Sequence, residues 1–427
     1  MNGGEKLESI PIDLIIEINS RLPAESVARF RCVSKLWGSM FRRPYFTELF
    51  LTRSRARPRL LFVLQHNRKW SFSVFSSPQN QNIYEKPSFV VADFHMKFSV
   101  STFPDFHSCS GLIHFSMMKG AYTVPVVCNP RTGQYAVLPK LTRTRYENSY
   151  SFVGYDPIEK QIKVLFMSDP DSGDDHRILT LGTTEKMLGR KIECSLTHNI
   201  LSNEGVCING VLYYKASRIV ESSSDDDTSD DDDDDDHERS DVIVCFEFRC
   251  EKFESIDICF YGQLINCNGK LGGATWKFDG NTVKLCMWIL EDVEKHEWSK
   301  HVYNIRDLAE FNPKNHVILG VIATGEIVFS MRFTSKPFYV LYFNPETNTF
   351  KSVEIQGLEN DSRVYGFVDL VEDLNVIDTM QLISSSATKG QNIIWQSLKQ
   401  KHRQQLHLAT SRQRSESILR YEYGLLV

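Results

Sequence analysis

Residues 124–138 read VPVVCNPRTGQYAVL and decide the fold of the larger part of the chain. An apolar run is followed by Asn129-Pro130, a short polar turn and a second run of strand-favouring residues. The asparagine side chain can hydrogen-bond to the backbone ahead of it, and proline presets φ for a turn. Two such runs joined by this turn predict a β-hairpin.

The same pattern recurs farther along the chain. Residues 152–167 and 339–355 each place an Asx-Pro pair between two apolar runs, and Asn209-Gly210 joins two further runs through a sequence suited to a type I′ turn. No strong helical pattern separates these hairpins, so the sequence predicts an all-β region. Hairpins at uneven spacing favour a β-propeller, whose blades are antiparallel meanders, and a large sandwich or a split sheet is the alternative.

The chain divides into regions of different composition. We predict an α+β multidomain organisation, in which a small helical segment precedes the all-β domain. The predicted boundaries are 1–53 for the helical docking segment, 54–59 for a linker, 60–377 for the β-rich domain and 378–427 for a polar, basic tail. Within the β-rich domain, residues 221–239 are predicted to be a disordered acidic insert, because like charges at this density resist collapse.

Composition excludes several classes of protein. The 427 residues are 41% hydrophobic and 24% charged, which is typical of a soluble protein with a substantial core. The spacing of the 10 cysteines is typical of neither a disulfide framework nor a zinc site, so we expect free thiols, no metal and no cofactor. No run reaches the ~20 apolar residues that a membrane span needs, and we expect a cytoplasmic or nuclear protein. The basic tail lacks clustered stacking aromatics, so nucleic acid is not an expected partner.

Residues 10–22 have the spacing of an amphipathic helix with a wide apolar face. Pro11 suits the first helical turn, and Pro23 ends this helix and begins another. A unit of about 40 residues is normally too small to bury all of its apolar side chains. Part of its apolar surface must therefore face either the β domain or another protein.

This segment resembles a plant F-box almost throughout. Residues 10–18, IPIDLIIEI, and 20–37, SRLPAESVARFRCVSKLW, give a Pro-led helix, Arg-Leu-Pro, Phe-Arg-Cys-Val-Ser-Lys and Trp in the order of that motif. In the family these helices pack against a Skp-type adaptor, which links the receptor to the cullin and RING subunits of a ubiquitin ligase. By resemblance, the adaptor-binding residues are Pro11, Ile12, Leu14, Ile15, Ile18, Leu22, Pro23, Val27, Phe30, Val33 and Trp37.

Two positions depart from the F-box pattern. Asn19 occupies a position where the pattern usually has leucine. Gly38 lies inside the third predicted helix, where glycine costs up to ~1 kcal/mol relative to alanine. We expect both to weaken adaptor docking somewhat without removing the core motif.

The β-rich region resembles the type 3 F-box-associated domain of plant receptors. The matching pieces, in order, are residues 108–113, 129–130, 154–157, 163–165 and 205–214, Trp288 with Trp298, and residues 364–368. In that family the domain presents substrate. The resemblance therefore implies a non-catalytic substrate-receptor subunit of an SCF-type cullin–RING E3 ubiquitin ligase. Its protein substrate is unidentified, and no substrate-contacting residue is carried over.

Two other functions stay open at this point. One is a hydrolase-like β-propeller enzyme whose N-terminal helices cap the domain, with a pocket and convergent carboxylates at the propeller centre. The chain has no GxSxG, P-loop or HExxH motif, and strand alternation is expected to scatter His95, His107 and His114. The other is an F-box protein that binds the adaptor but works outside ubiquitination.

Overall fold

The computed structural model describes residues 10–66, 71–79, 89–100, 105–119, 122–139, 149–168, 176–182, 189–219, 239–279, 282–305, 312–376 and 378–379. The predicted acidic insert, apart from Arg239, and the tail from residue 380 onward lie outside the described residues. Within the described part, four helices precede twenty-five strands, and a helical turn at 374–376 follows the last strand.

The four N-terminal helices form what we call the helical unit. They are α1 Ile12–Asn19, α2 Ala24–Phe30, α3 Lys35–Met40 and α4 Pro44–Arg55. Proline precedes α1 and α2 and opens α4, at positions where a missing N–H costs nothing. α3 begins after Ser34, whose hydroxyl accepts a hydrogen bond from the backbone N of Trp37 at 3.2 Å. These local signals divide the segment into short helices.

The strands of the described residues form six mainly antiparallel blades. Four are separate four-stranded sheets, and the other two are joined into one nine-stranded sheet by a parallel bridge between Cys267 and Val321. Blade 1 contains β1 Arg59–His66, β2 Ser71–Pro78, β4 Asp93–Ser99 and, from the far end of the chain, β25 Ser362–Leu370. Blade 2 contains β5 His107–Cys109, β6 Leu112–Lys119, β7 Tyr122–Asn129 and β8 Gln134–Val137. Blade 3 contains β9 Ser149–Asp156, β10 Gln161–Ser168, β11 Arg177–Thr180 and β12 Arg190–Lys191.

The other three blades follow the same meander. Blade 4 contains β13 His198–Ile208, β14 Val211–Ile219, β15 Arg239–Glu247 and β16 Lys252–Asp257. Blade 5 contains β17 Gln263–Cys267, β18 Lys270–Asp279, β19 Thr282–Asp292 and β20 Glu297–Ile305. Blade 6 contains β21 His316–Val321, β22 Ile327–Met331, β23 Tyr339–Asn344 and β24 Thr349–Gln356, with β3 Phe89–Val91 added parallel to β24.

One strand of each blade lines the centre of a ring. β5 contacts β9, β9 contacts β13, β13 contacts β17, β17 contacts β21, and β21 contacts β25. Because β25 pairs with β1, with Phe62 opposite Gly366, the last strand of the chain closes the ring onto the first. A closed ring of antiparallel meanders is a β-propeller. The predicted fold class, a helical segment followed by an all-β propeller, is confirmed.

Apolar clusters fill the spaces between neighbouring blades. Phe98 and Phe115 stack between blades 1 and 2 with ring centroids 4.9 Å apart, and Phe152 and Tyr214 stack between blades 3 and 4 at 5.1 Å. Alternate residues of β1 enter different clusters, so both faces of the strand are buried. This two-sided burial explains why the strands read as continuous apolar runs rather than as clean alternation.

The hairpin turns form as the Asx-Pro pattern predicts. Asn129 Oδ1 accepts hydrogen bonds from the backbone N of Arg131 at 3.0 Å and of Thr132 at 3.2 Å. The Asp156 and Asn344 side chains each accept two backbone N–H groups in the same way. Asn209 and Gly210 both have positive φ, 51° and 89°, as a type I′ turn requires.

The helical unit sits on one face of the ring. Since successive strands of a blade alternate in direction, the β5–β6, β7–β8 and β9–β10 turns all lie on the same face, which we call the turn face. Lys160, in the β9–β10 turn, contacts Glu48 of α4 at 3.0 Å. The helices therefore lie against the turn face.

Candidate docking surface on the helical unit

The helical unit exposes an unusual density of large apolar side chains. Leu14 and Ile18 are each more than half exposed and stand one turn apart on α1, so they share one side of the helix. We call these two residues the exposed face of α1. Five more large apolar side chains of the unit are also more than half exposed: Ile10, Ile12, Val33, Leu36 and Tyr45. Clustered apolar exposure of this kind marks a site of protein contact.

The opposite side of α1 is packed. Ile15 and Ile16 lie against the core of the helical unit, whose buried members are Ala24, Val27, Met40, Phe41, Phe46, Phe50 and Leu374. Glu17 ties α1 to α4, because Arg53 Nη2 donates to both of its carboxylate oxygens, at 2.6 and 2.7 Å. α1 is thus apolar on two sides, one packed and one open, which indicates that something else covers the open side.

The eleven residues assigned by resemblance fall into three groups of accessibility. Six are exposed: Pro11, Ile12, Leu14, Ile18, Pro23 and Val33. Four are half-buried and pack on the core through part of their surface: Ile15, Leu22, Phe30 and Trp37. Val27 has no exposed surface, so its side chain supports the unit from inside and offers nothing to a partner.

Three exposed residues were absent from the predicted set. Ile10 lies just before α1, next to Pro11, and Leu36 lies in the first turn of α3, next to Trp37, so apolar character beside residues of the predicted set could have included both. Tyr45 opens α4 beside Pro44, and its exposure follows only from how α4 packs.

Asn19 ends α1 with its side chain buried. Its Nδ2 donates to the carbonyl oxygen of Ile15 at 2.7 Å, whereas its Oδ1 has no hydrogen-bond partner within the described part of the chain. The departure from leucine therefore affects the packed side of α1 rather than its exposed face.

Gly38 is required by the packing of α3. A Cβ at this position would lie 2.9 Å from the carbonyl oxygen of Arg31 and 3.2 Å from Arg42 Nη1. The expectation that glycine is merely a weak helix former here is incomplete, because it lets α3 approach the backbone that follows α2.

The propeller holds one arrangement that resembles a hydrolase site. Ser73 Oγ lies 2.9 Å from His66 Nε2, and His66 Nδ1 lies 3.2 Å from Glu359 Oε2. Ser73 has no exposed surface, so its hydroxyl is closed to a substrate. Burial also holds the pKa of His66 below its ordinary value. The cluster is a polar contact that joins β1, β2 and the segment before β25, with Ser73 buried and Glu359 exposed.

Of the three histidines that are close in sequence, His95, His107 and His114, two are also close in space. His107 and His114 face each other across the β5–β6 hairpin with ring centroids 5.7 Å apart, so the expectation that strand alternation scatters them is wrong for this pair. His95 lies elsewhere, 2.7 Å from Ser76 Oγ. Burial lowers the pKa of all three, which keeps them neutral at physiological pH.

Neither a membrane span nor a metal site is found in the residues that the structure describes. None of those helices is both long and apolar enough to cross a bilayer in the described ranges. Among the same residues, no three His, Cys, Asp or Glu side chains come together as metal ligands.

Comparison with known proteins supports both halves of this architecture. A family model described as the F-box domain matches residues 7–49, and one described as the F-box associated beta propeller domain matches residues 59–379. Putative F-box protein At1g60370 of Arabidopsis thaliana is 98% identical over 266 residues, which cover 62% of this chain and 94% of that protein. Putative F-box protein At5g42430 of the same plant is 50% identical over 396 residues, 88% of this chain and 93% of that one.

A further relative extends the same likeness. F-box protein At3g57590 of Arabidopsis thaliana is 46% identical over 404 residues, which cover 89% of this chain and 94% of that protein. Both resemblances seen in the sequence are thereby confirmed. With α1–α3 and the start of α4 in the span of the first family model and the six blades in that of the second, the chain belongs to the F-box proteins that carry an F-box-associated β-propeller domain.

Proposed function

We propose that this chain is the substrate-receptor subunit of an SCF-type cullin–RING ubiquitin ligase. Its helical unit would bind a Skp-type adaptor, and through it cullin and RING subunits, while the propeller recruits a protein substrate. The single observation that carries the proposal is the exposed face of α1 on a unit that belongs to the F-box family. The chain itself needs no catalytic residue, because ubiquitin transfer belongs to the partner subunits.

The exposed apolar residues supply the physical reason for binding. Fully burying an isoleucine or leucine side chain contributes about 1.5–3 kcal/mol, and Leu14 and Ile18 have more than half of that surface still open. Side chains in this state are available to a partner without any rearrangement of the unit. We assign direct contact to the six exposed residues of the predicted set and to Ile10, Leu36 and Tyr45.

The half-buried residues of the predicted set have a second role. Trp37 packs against Phe30 and Phe41 with ring centroids 5.4 and 5.5 Å away, so it shapes the unit as well as contributing an exposed edge. Substitutions at Trp37 or Leu22 would disturb both the fold and the surface. Docking is therefore better tested at residues whose side chains are exposed and do not support the core of the helical unit.

The test is a pull-down of the full chain with a purified Skp-type adaptor. We expect Leu14→Asp and Ile18→Asp each to weaken binding at least tenfold, which corresponds to about 1.4 kcal/mol, because each puts a charge where an apolar side chain should be buried. Leu201→Asp is the matched control: Leu201 is 51% exposed, against 52% for Leu14, but lies on β13 of the propeller. Equal recovery of Leu14→Asp and wild type would refute the proposal.

The receptor role is tested separately from docking. Proteins recovered with the chain from cells under proteasome inhibition should carry ubiquitin when the chain is wild type and lose it with Leu14→Asp. A bound protein that is never ubiquitinated, although the adaptor is bound, would favour the function outside ubiquitination. Among the described residues, the Ser73, His66 and Glu359 cluster resembles a hydrolase site. Because the Ser73 hydroxyl is buried, the cluster does not favour the enzymatic alternative.

A further inference from the structure

The segment after β25 packs against both the helical unit and the propeller. We call residues 371–376 and 378–379 the strap. Leu374 is fully buried in the core of the helical unit, together with Val27 and Phe46. Two residues later, Val376 is buried in the apolar cluster between blades 2 and 3 of the propeller. The strap therefore supplies one side chain to each core within a single helical turn.

Glu372 joins three elements through its backbone and its carboxylate. Its Oε2 accepts a hydrogen bond from the backbone N of Ala24 at 3.0 Å, at the start of α2, where Pro23 provides no side-chain cap. Its Oε1 forms an ion pair with Arg131 in the β7–β8 turn. Its backbone N donates to Ser54 Oγ of α4 at 2.8 Å.

This position is also well shielded. The side chains of Glu372 and Arg131 are each only 13% exposed, so their charges pair in a site that is largely shielded from water. Removing the carboxylate would leave the first N–H of α2 without its acceptor and the Arg131 guanidinium without its ion-pair partner, with His95 as its remaining neighbour. A single side chain thus couples the entry of α2 to the propeller.

A second ion pair holds the far end of the strap. The Arg31 side chain, at the end of α2, is 2% exposed. Its Nη1 donates to Asp378 Oδ1 at 2.7 Å and its Nη2 to the carbonyl oxygen of Phe41 at 2.6 Å. An arginine buried this deeply stays charged and therefore depends on its carboxylate. The strap thus fixes α2 at both of its ends.

We infer that the strap is a positioning element that fixes the orientation of the helical unit relative to the propeller, with Glu372 as its central positioning residue. The argument follows from the topology. The helical unit precedes β1, and β25 is the strand that closes the ring, so the strap brings the two ends of the propeller chain to the same unit. A second contact between the unit and the turn face, Lys160 with Glu48, is exposed on both sides and contributes little.

The consequence for function rests on the proposed adaptor docking. An adaptor bound to the exposed face of α1 would stand at a fixed direction and distance from whatever the propeller holds. The direction in which the helical unit presents the adaptor would then depend on residues that follow the last strand. Fixed geometry of this kind favours ubiquitin transfer to a restricted part of the bound protein.

The experiment measures orientation directly, in the full chain and without an adaptor. Cys32 on the helical unit and Cys250 in the β15–β16 turn are both exposed and accept nitroxide labels once the exposed Cys259 is replaced by serine. Pulsed electron resonance then gives the distribution of distances between the two labels. We expect one narrow distribution in the otherwise wild-type chain and at least a doubling of its width in Glu372→Ala.

Two variants keep the test decisive. Lys160→Ala is the control, because it removes a contact between the same two bodies without touching the strap, and its distribution should match the parent. Where Glu372→Ala fails to fold, Glu372→Gln serves instead: it keeps an acceptor for Ala24 N and loses the ion pair with Arg131. A folded Glu372 variant whose distribution is as narrow as the parent overturns the inference.

Adaptor affinity separates this inference from the proposed function. In a folded Glu372→Gln chain the exposed face of α1 is unchanged, so adaptor binding should stay within about threefold of wild type while the label distances broaden. Failure of the wild-type chain to bind any Skp-type adaptor would refute the proposed function. It would leave the distance measurement as a valid test of the strap.

Discussion

Asn19 places an amide where the helical unit is otherwise apolar. The side chain is 5% exposed, and the backbone carbonyl of Ile15 is the only partner that the described residues give it. A buried polar atom without a hydrogen bond costs about 1–3 kcal/mol, because it has lost water and gained nothing in exchange. The cost falls on the stability of the unit, since Asn19 faces inward.

We expect Asn19→Leu to stabilise the full chain by about 1–2 kcal/mol, because leucine has the same branched shape and number of heavy atoms and no unsatisfied oxygen. Urea unfolding followed by fluorescence measures the change. Asn304→Leu, at an exposed position of β20, is the control and should stay within about 0.5 kcal/mol of wild type. A lower unfolding midpoint for Asn19→Leu would show that Oδ1 has a stabilising partner.

Helical spacing shows which residues of α1 share a side, but it does not show which side is open where both sides are apolar. Leu14 and Ile15 are neighbours of the same chemical type, yet one is open and the other packs on the core. Contacts distant in sequence accompany this difference: Ile15 packs on the core of the helical unit, and Arg53 binds Glu17 from 36 residues away. Spacing along α1 contains no information about that contact.

At the scale of elements, α3 shows how packing overrides helix propensity. It ends against the turn that follows α2, and Gly38 leaves just enough room for the Arg31 carbonyl. Propensity alone predicts that alanine would stabilise the helix by up to ~1 kcal/mol. A methyl group 2.9 Å from a backbone oxygen forces the two elements apart instead.

We therefore expect Gly38→Ala to destabilise the chain by about 1–3 kcal/mol, the usual cost of overpacking. Ser39→Ala is the matched control, one position along the same helix and exposed, and it should be neutral or slightly stabilising. Thermal unfolding of both variants beside wild type gives the comparison. A higher melting temperature for Gly38→Ala would mean that α3 moves freely and that the close approach has no energetic weight.

The hairpins and their arrangement in a propeller were predictable, whereas the number of blades and the strand that closes the ring were not. Each Asx-Pro turn is determined by a few adjacent residues, so residues 124–138 contain everything that their hairpin needs. Closure of the ring depends on β25 and β1, where the Tyr365 hydroxyl donates to Gln65 Oε1 from 300 residues away. Neither the number of blades nor the strap has a local signature of that kind.

At the scale of the whole molecule, the propeller buries several neutral histidines. Burial is the main cause that lowers the pKa of His66, His95, His107, His114, His198 and His316. For His95 the pKa falls to about 3, helped by the nearby Arg131 and Arg59 charges. The unfolded chain protonates these groups near pH 6.5, whereas the folded chain keeps them neutral to lower pH.

Stability should therefore fall as pH drops below about 6.5, because the unfolded state then binds more protons than the folded state. Each histidine that stays neutral contributes up to about 1.4 kcal/mol per pH unit until its folded pKa is reached. Urea unfolding at pH 7.5, 6.0 and 5.0 measures the slope. His95→Gln should reduce that slope, since burial keeps His95 neutral throughout this range. If His95→Gln keeps the full wild-type slope, His95 must gain its proton in the folded chain, and its site between Ser76 and Arg131 must open to water.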